Sequence, residues 1–230
     1  MIPETKGNTH YDPEIENLLQ DLDGPDYLTH AFSDIGIDSL IILRSVFRVD
    51  KSYLGNYLGR FLHGNRSLFE GKILLDLGCG CGLLGLICVL NGSAVVHFAD
   101  INPAAVKNSK LNAMLMDIDN VSFSRGSLFT QVPPDRKFDV VIFNPPSISG
   151  IPANTSETAL VREDKVITTF YEFLPEHLAP GGIAIMPGSS RFDGEMSPLN
   201  MAKEFSYQST IIDTHQEDDG NFKYVVVIRP

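Results

Sequence analysis

From about residue 71 onward, the apolar positions alternate between two spacings. Short, nearly all-apolar runs occupy Ile73 to Leu77, Ala94 to Ala99, Val121 to Ser124, Phe138 to Phe143, Ile183 to Pro187, Tyr207 to Asp213 and Phe222 to Ile228. Runs of that length and composition predict strands. Between them lie stretches with helical spacing: Leu83 to Leu90, Pro103 to Met116, Thr158 to His177 and Pro198 to Phe205. Asn102-Pro103 and Ser197-Pro198 supply a capping side chain followed by proline, the pattern of a helix start. Pro180-Gly181-Gly182 is a stop. Strands apolar on both faces and alternating with helices predict a parallel sheet covered on both sides. The last two strands are joined only by Gln216 to Asn221, which predicts an antiparallel hairpin at one side of the sheet.

Residues before about 70 read differently. The segment is acidic and rich in aromatics, and Asp12-Pro13 with Glu14 and Glu16 reads as a helix start. From about Lys51 to His63 an apolar stripe of Tyr53, Leu54, Tyr57, Leu58, Phe61 and Leu62 predicts a helix packed on the main domain. The expected architecture is therefore α/β. Residues 1–70 form an N-terminal helical cap on the substrate side, and residues 71–230 form a seven-stranded, mostly parallel sheet with an antiparallel last strand.

Composition narrows the partners. The chain has 230 residues, of which 43% are hydrophobic and 20% charged, an ordinary globular balance. Its formal charge of −11 argues against nucleic acid as partner, because phosphate backbones call for a basic face. It also argues against an anionic membrane surface, and no apolar stretch is long enough to span a bilayer. The three cysteines, Cys79, Cys81 and Cys88, form neither a disulfide framework nor a zinc set, so no metal is expected. Reduced thiols, and an N-terminus without the apolar core of a signal peptide, point to the cytoplasm.

The segment Leu74-Leu-Asp-Leu-Gly-Cys-Gly-Cys-Gly-Leu-Leu-Gly85 follows a strand and opens a helix. Gly78, Gly80 and Gly82 allow a turn tight enough to bring backbone amides against a ligand, with a helix N-terminus behind it. Gly80-x-Gly82-x-x-Gly85 also fits the dinucleotide fingerprint, which alone is a weak signal. Asp76 stands two residues before the first of these glycines, and Asp100 ends the second strand, where a carboxylate can accept both hydroxyls of a ribose. Asn144-Pro145-Pro146-Ser147 closes the fourth strand.

In this combination the chain resembles the class I S-adenosylmethionine-dependent methyltransferases. It is most similar to the branch with Asn-Pro-Pro after strand four, whose members methylate nitrogen on amides and nucleobases. The resemblance covers about residues 46 to 230 and implies a Rossmann-like sheet and S-adenosylmethionine as cofactor. It implies that Gly78, Cys79, Gly80 and Gly82 approach the methionine part and that Asp76 lies near its amino group. Asp100 would hold the ribose, Ile101 would pack on the adenine, and Ser127 and Leu128 would lie at the adenine edge. Ser127 stands where relatives often have Asp.

The Asn144 side chain and the Pro145 carbonyl can each accept a hydrogen from an NH₂ group, which turns the nitrogen lone pair toward the electrophile. Two consecutive prolines make that projection rigid. Ser147 departs from the pattern, since relatives acting on flat groups commonly carry an aromatic there to stack. With the acidic charge, this favours a small molecule or a protein side chain over a base as acceptor. Tyr53 and Tyr57, in the segment before the glycine loop, are the candidates for the acceptor pocket.

Two alternatives stand beside N-methylation. One is non-methylating use of the cofactor, such as cyclisation of its aminobutyrate chain with release of methylthioadenosine. The other is a non-catalytic cofactor-binding subunit. Arg162-Glu163-Asp164-Lys165 reads as a solvated helix face, His97 as a satisfied structural histidine, and Phe170 and Tyr171 as core.

Overall fold

The computed structural model describes residues 27–155 and 157–230. The helix start at Asp12-Pro13 lies outside them. The described chain opens with a hairpin of β1 (Tyr27–Phe32) and β2 (Ile37–Leu43), followed by helix α1 (Tyr53–Gly64). Strand and helix then alternate through β3 (Ile73–Leu77), α2 (Leu83–Leu90), β4 (Val95–Asp100), α3 (Pro103–Leu115), β5 (Val121–Arg125) and β6 (Phe138–Phe143). Two short strands, β7 (Ile148–Ser149) and β8 (Val161–Arg162), precede α4 (Asp164–His177). The chain closes with β9 (Leu178–Ser189), α5 (Pro198–Glu204), β10 (Gln208–Gln216) and β11 (Phe222–Arg229).

The main sheet has seven strands in the order β10-β11-β9-β6-β3-β4-β5. β9, β6, β3, β4 and β5 are parallel neighbours, and β11 runs antiparallel to both β9 and β10. The last hairpin therefore folds inward, leaving β10 at the edge and β11 inside. The burial follows: every residue from Tyr224 to Ile228 is at most 1% exposed, whereas β10 keeps Ile211 and Ile212 at the surface.

Both faces of the sheet are covered. One core joins Leu74, Val96, Val140 and Ile185 to α1, α2 and the β1–β2 hairpin. The other joins Leu75, Val141, Ala184 and Val226 to α4 and α5. The preface thus contributes a hairpin as well as the expected helix. It is fastened by side-chain amides from α3. Asn112 Oδ1 accepts from Ile41 N at 2.9 Å and its Nδ2 donates to Ile41 O at 2.8 Å and to Cys81 O at 2.9 Å. Asn108 Oδ1 accepts from Leu43 N at 2.8 Å. Both asparagines are at most 1% exposed, so these bonds satisfy groups that burial would otherwise leave unpaired.

The helix starts are local. Ser52 Oγ accepts from Gly55 N at 2.9 Å before α1, and Asn102 Oδ1 accepts from Ala104 N at 2.9 Å before α3. The helix expected from Thr158 begins instead at Asp164. The residues before it form a 3₁₀ turn, Glu157–Ala159, and the short strand β8. The expected stop is also displaced: α4 ends at His177, and Pro180-Gly181-Gly182 lies inside β9.

Candidate active site

Adjacent parallel strands end on one side of the sheet, and a cavity of about 740 Å³ opens there. Its walls come from the turn after β3 (Gly78–Cys81), the end of β4 (Ala99–Asn102), the segment after β5 (Gly126–Leu128) and the segment after β6 (Asn144–Ser147). The N-terminus of α1 and Phe47 face them, together with Arg191 and Phe192 after β9. The end of a parallel sheet is where open α/β folds hold ligands, because chain connections diverge there.

The turn after β3 has the backbone its glycines require. Gly78, Gly80 and Gly82 have φ of +70°, +55° and +92°. A Cβ at Gly80 would enter open space beside the turn, with no atom within 4 Å. Two carboxylates shape the turn from behind. Asp100 Oδ2 accepts from Gly80 N at 2.9 Å and Asp100 Oδ1 from Asn102 N at 2.8 Å. Asp76 Oδ2 accepts from Gly85 N at 2.9 Å, satisfying one of the free amides in the first turn of α2. Burial pushes the Asp76 carboxyl up to about 7, against the pull of the Gly85 amide. Asp100 is also raised by burial, opposed by the backbone amides it accepts from. The Cys79 thiol is pushed well up by burial and by the nearby carboxylates, which leaves it protonated and unreactive at neutral pH.

Cys79, Ile101, Ser127 and Leu128 all line the cavity, and Leu128 carries a left-handed φ of +47°. Asp76, at 2% exposure, sits behind the turn rather than in its wall. Its action on a ligand would pass through the loop it holds.

Asn144, Pro145, Pro146 and Ser147 line the opposite side. Ser147 is exposed and carries no ring; aromatic rings reach the cavity instead from Phe47, Tyr53, Phe143 and Phe192. The Tyr53 ring meets Phe192 edge-on at 5.8 Å, has Lys223 Nζ 3.9 Å above its centre and has the Arg191 guanidinium at 5.4 Å. Tyr57 is different. It does not line the cavity: its hydroxyl donates to Asp213 Oδ2 at 2.5 Å and its ring lies 6.3 Å from that of His215. At helical spacing, four residues place Tyr57 one turn farther along α1, toward β10, so the expectation of a pocket role for Tyr57 is corrected.

The charge run at 162–165 is also corrected. Arg162, read as solvated, is 8% exposed. It donates from Nε to Pro146 O at 2.8 Å and from Nη1 to Asp164 Oδ1 at 2.9 Å. No hydropathy signal marked it, because a buried guanidinium is recognisable only from its partners. Arg191 and Phe192 were missed for a similar reason, as they follow a strand in a segment without periodicity. His97 is satisfied as expected, with its two ring nitrogens 2.8 Å from Ser122 Oγ and Ser124 Oγ. Tyr171 is buried and donates to Pro198 O at 2.9 Å.

These residues suit a nucleoside-bearing cation. An open backbone turn faces a carboxylate at the end of the next strand, and a rigid carbonyl-bearing projection stands beside both. Fold and site together define a class I S-adenosylmethionine-dependent methyltransferase. The chain belongs to the methyltransferase small domain family, whose signature matches residues 57–216. It is 32% identical over 154 residues to a protein of Methanocaldococcus jannaschii carried under the name of a candidate protein N5-glutamine methyltransferase, covering 62% of this chain and 74% of that one. It is 33% identical over 129 residues to the release factor glutamine methyltransferase of Aliivibrio fischeri, covering 51% of this chain and 45% of that one. Its fold is similar to the T. thermophilus 16S rRNA N2 G1207 methyltransferase, solved with AdoMet and guanosine. That match has a TM-score of 0.65 at 17% identity and covers 88% of this chain and 50% of that one. Among the described residues, no helix is long and apolar enough to cross a membrane.

Proposed function

We propose that this methyltransferase N-methylates a carboxamide, and that the amide belongs to a protein glutamine side chain. The observation that carries the reading is the Asn144-Pro145-Pro146 projection, which lines the same cavity as the glycine turn and Asp100. Bound S-adenosylmethionine supplies a methyl group on a sulfonium, whose thioether leaves without protonation. The chain contributes position. Asp100 accepts the ribose hydroxyls, the amides of the turn after β3 hold the amino-acid end, and Ile101, Ser127 and Leu128 border the adenine. Asn144 Oδ1 and Pro145 O accept the two hydrogens of the acceptor NH₂ and aim its nitrogen along the methyl–sulfur axis. The methylated amide then loses one proton to water. Holding both partners in line is worth several kcal/mol of barrier, and little acid–base chemistry is required of the protein.

Support for a protein glutamine comes from the two relatives named for that acceptor, and the acidic chain argues against nucleic acid. A nucleobase acceptor would need stacking and a basic channel. Ser147 supplies no ring, and the chain's net charge is −11.

The test uses methyl-labelled S-adenosylmethionine with short peptides carrying one glutamine, glutamate or asparagine, and with an oligonucleotide in a separate arm. Label in the glutamine peptide, released as methylamine on acid hydrolysis, is the expected result. A parallel incubation with cofactor alone should give only trace S-adenosylhomocysteine. Steady methylthioadenosine in that arm would replace methyl transfer by cyclisation, and label in an oligonucleotide but in no peptide would move the acceptor to a base.

A further inference from the structure

Consecutive prolines fix φ in the acceptor turn but leave two of its residues without an N–H, so Pro145 and Pro146 can be anchored only through their carbonyls. The structure supplies a donor to one of these carbonyls from across the chain. Arg162 Nε donates to Pro146 O at 2.8 Å, and its Nη1 donates to Asp164 Oδ1 at 2.9 Å. Asp164 Oδ1 also accepts from Ser149 Oγ, just beyond the turn. Pro146, Arg162, Asp164 and Ser149 thus form a closed ring around the exit of the Asn-Pro-Pro turn. Backbone bonds reinforce it: Ile148 N donates to Leu160 O at 3.0 Å and Gly150 N to Arg162 O at 2.8 Å, joining β7 to β8. Two-residue strands hold poorly alone, and the side-chain ring adds to their pairing.

We infer that Arg162 is a positioning residue for methyl transfer, holding the Pro146 carbonyl so that Asn144 and the Pro145 carbonyl keep the geometry that orients the acceptor nitrogen. The inference rests on the reading of Asn144 and Pro145 as the acceptor clamp. A planar guanidinium with one edge on a carbonyl and another on a carboxylate has a single orientation, which a lysine ammonium cannot reproduce. The Arg162 side chain is 9% exposed and Asp164 is 55% exposed, so the carbonyl contact lies on the buried side and the charge is balanced toward solvent. The leverage is high, because a displacement of about 1 Å at a reacting group can cost about 10²-fold in rate.

The experiment compares Arg162→Lys, Arg162→Ala and wild type on the single-glutamine peptide. S-adenosylhomocysteine affinity should stay within about threefold in both variants, while kcat falls about tenfold or more and KM moves less. Added guanidinium ion should recover part of the rate in Arg162→Ala and none in Arg162→Lys. A rate loss carried wholly by cofactor affinity, or an unchanged kcat, overturns the assignment. A second readout needs no acceptor: the Asn144 side-chain NH₂ resonances in the S-adenosylhomocysteine complex, identified by their loss in Asn144→Ala. They should be sharp in wild type and broadened or shifted in Arg162→Ala, and recovered with guanidinium. If wild type leaves the peptide unmethylated, the glutamine reading fails and these resonances alone decide Arg162. Unperturbed resonances would then reject the positioning role.

Discussion

Asp100 Oδ2 holds the amide of Gly80 at 2.9 Å, so the last residue of β4 fixes the turn that follows β3. In the proposed reading the same carboxylate also accepts from the ribose, since each oxygen has a second lone-pair direction left. Asp100→Ala should weaken S-adenosylmethionine binding by about 1.5–3 kcal/mol, the loss expected for a charged hydrogen-bond acceptor. Asp100→Asn, which keeps an acceptor oxygen, should lose less. Calorimetric titration of the two variants checks this, and unchanged affinity in Asp100→Ala would remove Asp100 from the site.

In the proposed reading Asn144 orients the acceptor nitrogen, and its loss should be felt in turnover rather than in cofactor binding. Asn144→Ala should keep cofactor affinity within about threefold and lower turnover by about 10²-fold or more. Single-turnover methylation of the glutamine peptide at saturating cofactor separates the two effects. Lost affinity with preserved turnover would place Asn144 on the cofactor instead.

Asp76 and His97 give opposing pH dependences. The Asp76 carboxyl sits at about 7 in the folded chain, against roughly 3.9 unfolded. Its contribution to stability is present below about pH 4 and is lost as pH rises through about 7. His97, buried and repelled by Arg136, sits at about 4 when folded, against roughly 6.5 unfolded. Its contribution is present above about pH 6.5 and is lost as pH falls through about 4. The two slopes offset each other in wild type. Asp76→Asn, which keeps an acceptor oxygen for Gly85, should uncover a rise in stability between about pH 4 and about pH 6.5. Urea unfolding across that range measures it, and parallel curves for variant and wild type would show that Asp76 titrates normally.

Gly80 in the turn after β3 and Gly85 in the first turn of α2 should separate binding from folding. At Gly80 a Cβ meets nothing within 4 Å, so Gly80→Ala pays only the left-handed backbone cost of about 1–2 kcal/mol and should remain folded. Because Gly80 lines the cavity and its amide is held by Asp100, the added methyl and the strained φ should lower cofactor affinity about tenfold or more. At Gly85 a Cβ would stand 2.3 Å from Phe98 Cε1 and 2.9 Å from Asp76 Oδ2. Gly85→Ala should therefore cost about 1–3 kcal/mol of stability through overpacking, read as a lower melting temperature. Thermal melts with and without S-adenosylhomocysteine distinguish the two.

The sheet was readable because its central strands are apolar on both faces and its helices begin at Asn102-Pro103 and Ser197-Pro198, signals that local chemistry sets. The cavity wall was readable where backbone dictates residue type, as at the glycines, or where a strand must end, as at Asp100 and Asn144. Periodicity could not tell Tyr53 from Tyr57, since both lie on the stripe of α1 and only the crossing of α1 over β9 and β11 decides which ring meets the cavity. Nor could it find Arg162, whose partner, the Pro146 carbonyl, is sixteen residues away in sequence and invisible to any local pattern.

The Asn112 carboxamide grips Ile41 of the hairpin with both its oxygen and its nitrogen, and the same nitrogen grips Cys81 of the turn after β3. The amino-terminal hairpin and the ligand-binding turn are thus soldered to one small group on α3. A chain trimmed to start after Leu43 would forfeit more than a peripheral ornament. It would strand a buried amide and slacken the turn, so the smallest autonomous version of this enzyme begins upstream of the sheet that defines its fold.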